Sequence, residues 1–263
     1  MGRRHGPEAP GGHPRRTRPC DARPASVKLA WIEPGQALPP ASHALRRPDG
    51  LLAAGRDLTA ARLREAYGKG IFPWFNPGDP VLWWSPDPRM VLFIDEFKVS
   101  RSFAKTLRRL RAERCWTLRT DTAFGRVMRE CAAPRPGADG TWITPDIIAA
   151  YCELHAQGAA HSVEVWRDDE LIGGLYGVSL GRMFFGESMF ARETDASKVA
   201  LAALVHLLCE AGYRVIDCQQ DTRHLASLGA RPIDRESFLA IVSQYTAEAA
   251  PDWQSLSIEI PDA

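Results

Sequence analysis

The run Ile216-Asp217-Cys218-Gln219 places an acid and an amide two residues apart in a strand-like segment. Residues i and i+2 share a face of a strand, so Asp217 and Gln219 point one way and Ile216 and Cys218 the other. Such a pair at the end of a central strand can steer and polarise an attacking amine. Asp217 could equally cap the strand end and serve the following turn. A second acid, Glu187, stands within the apolar stretch Phe184-Phe185-Gly186-Glu187-Ser188-Met189-Phe190. Alternation puts Phe185, Glu187 and Met189 on one face and Phe184, Ser188 and Phe190 on the other. A buried carboxylate needs a partner. A positioned substrate ammonium would serve, and so would a salt bridge to Arg182 or Arg192. Trp74 and Trp142 sit beside Pro and Gly in loops, where a ring can stack on a nucleobase for about 1–3 kcal/mol. Trp83, Trp84, Trp116 and Trp166 read instead as core anchors.

The elements that must position these residues follow from periodicity and punctuation. Asp57 or Thr59 caps a helix through Tyr67, and Gly70 ends it. Residues 71–80 are too rich in proline for regular structure and too aromatic for a solvated loop. Val81 to Trp84 and Arg89 to Ile94 read as strands about a Ser85-Pro86-Asp87-Pro88 turn. Ser100 caps a basic helix to about Leu110, with Phe103, Leu107 and Leu110 as its buried stripe. A strand from Trp116 to Thr120 precedes a helix that Asp121 or Thr122 opens and that runs to about Cys131. Pro145 stands in the first turn of a helix to about Gln157. His161 to Trp166, Leu171 to Leu180 and Met183 to Phe190 form an antiparallel meander. An apolar helix, Ala196 to Ala211, leads to a strand from Tyr213 to Gln219, and short helices near His224 and from Asp234 follow.

This order predicts an α+β chain: a small N-terminal domain at 29–87, then an acyltransferase domain of the GNAT type at 88–263. Residues 1–28 hold five prolines and four glycines and read as a disordered basic tail. A CoA-dependent enzyme of that fold needs a glycine-rich turn to cradle pyrophosphate. The stretch Ala191 to Lys198 has no glycine and carries two acids, so CoA is not expected.

The chain has 263 residues, is 45% hydrophobic and 25% charged, and has a net charge of +1. That net value hides an asymmetry of +5 over residues 1–28 and +6 over 100–119, which leaves −10 elsewhere. Concentrated positive charge attracts a phosphate backbone, although such runs can also be solvated faces. The six cysteines form no C-x-x-C pair, and no His lies at ligand spacing from another His or Cys. No metal site or disulfide framework is expected, and a reduced cytoplasm suits the chain. The longest uncharged apolar run is roughly half of what spans a bilayer, so no membrane partner is expected.

Several strings are specific enough to name a family. Gly70-Ile71-Phe72-Pro73-Trp74-Phe75, Leu82-Trp83-Trp84-Ser85-Pro86-Asp87-Pro88-Arg89, Gly140-Thr141-Trp142-Ile143, His161-Ser162-Val163-Glu164-Val165-Trp166, Gly174-Leu175-Tyr176-Gly177-Val178, Phe185-Gly186-Glu187-Ser188-Met189-Phe190 and Ile216-Asp217-Cys218-Gln219 resemble leucyl/phenylalanyl-tRNA–protein transferases in content, order and spacing. The resemblance covers about residues 38 to 245 and implies a monomeric cytoplasmic enzyme of the N-degron pathway that needs no cofactor. Its donor would be aminoacyl-tRNA carrying Leu, Phe or, less well, Met. Its acceptors would be proteins with N-terminal Arg or Lys, which an adaptor then delivers to a Clp-type protease.

By the same resemblance Asp217 and Gln219 match the pair that activates the acceptor amine, and Glu187 an acid that holds substrate near the ester. Trp74 and Trp142 match rings that sandwich the terminal adenosine of tRNA. Leu175, Phe184 and Ile216 match walls of the amino-acid pocket. The basic helix, with Arg101, Lys105, Arg108, Arg109 and Arg111, is the expected contact for the acceptor stem. Two departures stand out: Thr222 replaces an Asn of some relatives, and the tail has no counterpart. The rival readings are a transferase for peptidoglycan cross-bridges, a non-catalytic tRNA-binding protein and a CoA-dependent acetyltransferase.

Overall fold

A computed structural model describes residues 29–134 and 141–262. The expected tail and most of the loop before Thr141 lie outside the described residues. Two mixed sheets organise the chain. The smaller has the order β1-β2-β4-β3, built from β1 (Ala30–Ile32), β2 (Leu51–Gly55), β3 (Phe72–Pro73) and β4 (Val81–Trp84). Residues 71–80 are therefore not wholly irregular: Phe72 and Pro73 pair with Trp84 and Trp83. A proline is tolerated there because β3 is an edge strand with one neighbour.

The larger sheet runs β11-β5-β10-β9-β8-β7-β6. Its strands are β5 (Arg89–Phe93), β6 (Thr117–Thr120), β7 (Ala160–Arg167), β8 (Glu170–Leu180), β9 (Met183–Ala191), β10 (Val215–Gln219) and β11 (Arg231–Ile233). The expected meander is present as β7-β8-β9, antiparallel throughout. The β9–β10 pair is parallel, with register pairs only at Ile216↔Phe184 and Asp217↔Phe185.

Helix α1 (Ala60–Gly68) starts as expected, with the Thr59 hydroxyl accepting the Arg62 N–H, while Asp57 takes the Arg62 guanidinium instead. Helix α2 (Arg101–Glu113) is capped by Ser100 and buries Phe103, Leu107 and Leu110. Helix α3 (Phe124–Ala132) departs from the expected capping. Neither Asp121 nor Thr122 caps it; the Glu164 carboxylate accepts the Ala123 N–H from the neighbouring strand. Asp121 is drawn away by the Ser162 N–H and the His161 ring. Helix α4 (Pro145–Ala156) is capped by Thr144, with Pro145 in its first turn. Helices α5 (Ala196–Glu210), α6 (Arg223–Ser227) and α7 (Arg235–Thr246) complete the set.

The large sheet is the middle layer. One apolar cluster joins it to α1, α3, α4 and the small sheet, and includes Tyr67, Tyr151, Tyr176 and Phe185. The other joins its opposite face to α2 and α5, and includes Leu175, Phe184, Leu204 and Ile216. Helix α5 approaches β8 closely enough that a Cβ on Gly173 would lie 2.5 Å from that of Ala196. Among the described residues no helix is long and apolar enough to cross a membrane.

Candidate active site

Two β-bulges bring the chemistry together. The β8–β9 register shifts between Tyr176 and Gly177, opposite Ser188 and Gly186, so Glu187 is the extra residue of a bulge. Its partner strand needs glycine here: a Cβ on Gly177 would meet the Phe185 carbonyl oxygen at 2.3 Å. The extra residue reverses the alternation of side chains. Phe185 and Phe190 pack in the cluster around Tyr67, while Phe184 and Met189 belong to the α5 side. The expected faces for this strand are thereby corrected.

The β5–β10 register shifts between Asp217 and Gln219, leaving Cys218 as the second bulged residue. Gln219 has φ +60°, and the Gln220 N–H donates to the Cys218 carbonyl at 2.7 Å, which closes a γ-turn around Gln219. Bending in this way, the chain carries the Gln219 amide across to Glu187. Its Nε2 donates to Glu187 Oε1 at 2.6 Å.

Glu187 also receives Tyr67 Oη on Oε1 at 2.6 Å and contacts Tyr151 Oη through Oε2 at 3.1 Å. The two tyrosine hydroxyls bond to each other as well. A protonated Glu187 would give each of these three contacts a hydrogen of its own. Burial pushes the Glu187 carboxyl up to about 8; the tyrosine and Gln219 hydrogen bonds pull it down, and Asp217 pushes it up. At neutral pH the carboxyl therefore holds a proton. Burial likewise raises Tyr67 and Tyr151, so both remain neutral donors. Neither arginine expected as a partner reaches Glu187. Arg182 bonds the Ala211 carbonyl and Arg192 the Glu130 carboxylate.

Asp217 is fully buried, and Arg89 grips it with Nε to Oδ1 at 2.8 Å and Nη2 to Oδ2 at 2.7 Å. Asp217 reaches Gln219 through the main chain, Oδ1 accepting the Gln219 N–H at 2.8 Å. Beside these groups opens an apolar cavity of about 90 Å³. Leu175, Phe184 and Ile216 line it together with Met189, Leu201, Leu204 and Leu225, and Glu187 and Asp217 complete its wall.

A family model described as "Leucyl/phenylalanyl-tRNA protein transferase" matches residues 91–243, and one for the N-terminal domain of that family matches 56–87. A relative from Bordetella avium, named leucyl/phenylalanyl-tRNA–protein transferase, is 58% identical over 233 residues, 87% of this chain and 93% of that protein. A relative of the same name from Chromobacterium violaceum is 58% identical over 85% of this chain and 94% of that protein. The chain belongs to the leucyl/phenylalanyl-tRNA–protein transferase family. Among solved structures, L-PGS from Bacillus licheniformis matches at 11% identity and a TM-score of 0.38, covering 68% of this chain and 67% of that one. So remote a match bears on neither fold nor function.

Within the transferase chain, the residues singled out from sequence fall into three groups. Glu187, Asp217 and Gln219 meet, and Leu175, Phe184 and Ile216 share the adjoining cavity. Trp74 is 39% exposed on its loop, while Trp142 is half-buried just before α4. Among the described residues these two rings do not touch each other. Trp74 instead meets Trp84 edge-on at 5.7 Å, and Trp84 Nε1 donates to the Trp74 carbonyl at 2.7 Å. Trp84 is thus a buttress for the exposed ring rather than a core anchor, as Trp83 and Trp166 are. On α2, Arg101, Lys105 and Arg108 are exposed; Arg109 pairs with Glu113, and Arg111 with Asp262.

Sequence reasoning missed Tyr67, Tyr151 and Arg89. The available signal was a hydroxyl or guanidinium in a buried stripe, where each needs a partner. It also missed that Asp121, His155 and His161 converge, with potential ligand atoms within 4.8 Å of one another. One nitrogen of each ring is engaged, His161 Nδ1 with Asp121 and His155 Nδ1 with the Ala160 carbonyl, each at 2.7 Å, while His161 Nε2 is buried without a hydrogen-bond partner among the described residues.

Proposed function

We propose that this chain transfers Leu or Phe, and less well Met, from aminoacyl-tRNA to the N-terminal Arg or Lys of acceptor proteins, marking them for degradation. The observation that carries this reading is an apolar cavity whose wall holds Glu187 and Asp217, with the Gln219 amide bonded to Glu187. Leu175, Phe184 and Ile216 would receive the aminoacyl side chain, and an apolar pocket accepts Leu, Phe and Met without separating them strongly. The acceptor nitrogen attacks the ester carbonyl carbon, the bond to the ribose oxygen breaks, and one proton passes from nitrogen to that oxygen. The ester is already activated, so alignment supplies much of the rate. Glu187 and Gln219 position the two reactants, and Asp217 fixes Gln219.

Trp74 and Trp142 sandwich the terminal adenosine in this reading, and Arg101, Lys105, Arg108, Arg109 and Arg111 follow the acceptor stem. The chain acts as a cytoplasmic monomer. Residues 29–87 form the small domain and 88–263 a GNAT-like transferase domain. The short parallel pairing of β9 with β10, backed by α5, supports that comparison.

The test is incubation with labelled Phe-tRNA and peptides that differ only in N-terminal Arg or Ala, without ATP or CoA. Label on the Arg peptide alone supports the reading. Tight tRNA binding with no label on either peptide would leave a tRNA-binding protein.

A further inference from the structure

We infer that Arg89 is a positioning residue for transfer: through Asp217 it holds Gln219 in its left-handed turn and so sets where the Gln219 amide and the Glu187 carboxyl meet the reacting ester. This rests on the proposed role of that site.

Arg89 opens β5 and is wholly buried, yet every edge of its guanidinium is used. Nε and Nη2 grip Asp217 as a fork, and Nη1 reaches the Gly70 carbonyl at 3.3 Å. The Phe72 and Phe238 rings cover its faces at 4.6 and 4.5 Å. A fully buried ion pair is weak evidence for stability, since apolar residues of similar volume often serve as well. The geometry gives this pair another use. Asp217 Oδ1 accepts from Arg89 Nε and from the Gln219 N–H together. A glutamine at φ +60° persists only where its surroundings over-determine it. Three bonds do so: Gln219 N–H to Asp217, Gln219 Nε2 to Glu187, and Gln220 N–H to Cys218. The first ends on the fully buried Asp217, which Arg89 holds, and the second on Glu187, which Tyr67 and Tyr151 hold; Arg89 is thus the anchor on the main-chain side of the turn.

Lysine cannot reproduce a two-point grip held between two rings. Single-turnover transfer by Arg89→Lys and Arg89→Ala is therefore expected to slow about tenfold or more, with KM and Kd for aminoacyl-tRNA unchanged. Millimolar guanidinium is expected to restore part of the Arg89→Ala rate, and equal ammonium is not. Should Arg89→Ala fail to fold, the kcat of Arg89→Lys decides. An unchanged kcat in either folded variant overturns the inference. So does joint loss of tRNA affinity and kcat without guanidinium rescue, which would mark a scaffold role. Gln219→Ala measured alongside separates the two levels: if it is inactive while the Arg89 variants are active, only this inference fails; if it is fully active, the reading of the site fails.

Discussion

Glu187 is an acid kept neutral by its surroundings, and that has a consequence for stability. Its folded-state value of about 8 lies above the ordinary 4.5, so the folded protein binds this proton more tightly than the unfolded chain. Stability is thus fully present below about pH 4.5 and lost as pH rises toward 8, by roughly 3–5 kcal/mol at most. Glu187→Gln removes the titration while keeping an oxygen for Tyr67. The melting temperature of the variant relative to the parent is expected to climb between pH 5 and 9. A gap that stays constant across that range would show that Glu187 is ionised throughout. The residue types at this site were legible in the sequence, because an acid in an aromatic strand and an acid–amide pair are both conspicuous. Their partners were not. Tyr67 and Tyr151 are 84 positions apart, and Arg89 lies 128 positions from Asp217. Only the packing of α1 and α4 against the large sheet, and of β5 beside β10, brings them in.

At the level of elements, strand period and helix period located the meander and the apolar helix α5 with bounds close to those observed. What periodicity could not show is where alternation breaks. The bulges at Glu187 and Cys218 each add one residue against a neighbour strand, and a neighbour's register is invisible in a single segment. Those two residues decide which side of the sheet each site group faces. Strands β1, β2 and β11 also escaped notice; β1 and β11 have three residues each, and β11 contains Pro232. The cavity is lined mainly by strand residues, but α5 closes one side with Leu201 and the buried Leu204. Enlarging Leu204 should therefore shorten the pocket. Leu204→Phe is expected to lower kcat/KM for Phe-tRNA more than for Leu-tRNA, since a methylene in an apolar pocket is worth about 1–3 kcal/mol. Equal losses for both donors would place the aminoacyl side chain somewhere else.

Across the whole molecule, net positive charge is gathered in residues 1–28 and in the stretch 100–119 that holds α2, and the remaining residues carry net negative charge. Part of the α2 charge is spent internally, on Glu113 and Asp262, while Arg101 and Lys105 are exposed on the same helix. If this helix follows the acceptor stem, Lys105→Glu should weaken tRNA binding and lower the slope of log Kd against log salt by about one phosphate contact. An unchanged slope would place the stem on another face. The same separation of binding from chemistry applies to Gln219: held over Glu187 beside the cavity, it takes part in transfer rather than in tRNA affinity. Single-turnover transfer from Phe-tRNA to a peptide with N-terminal Arg should be measured for the parent and for Gln219→Ala, with tRNA affinity determined on the same preparations. The rate for Gln219→Ala is expected to fall about 100-fold or more with affinity intact. A parent-like rate in Gln219→Ala would contradict that role.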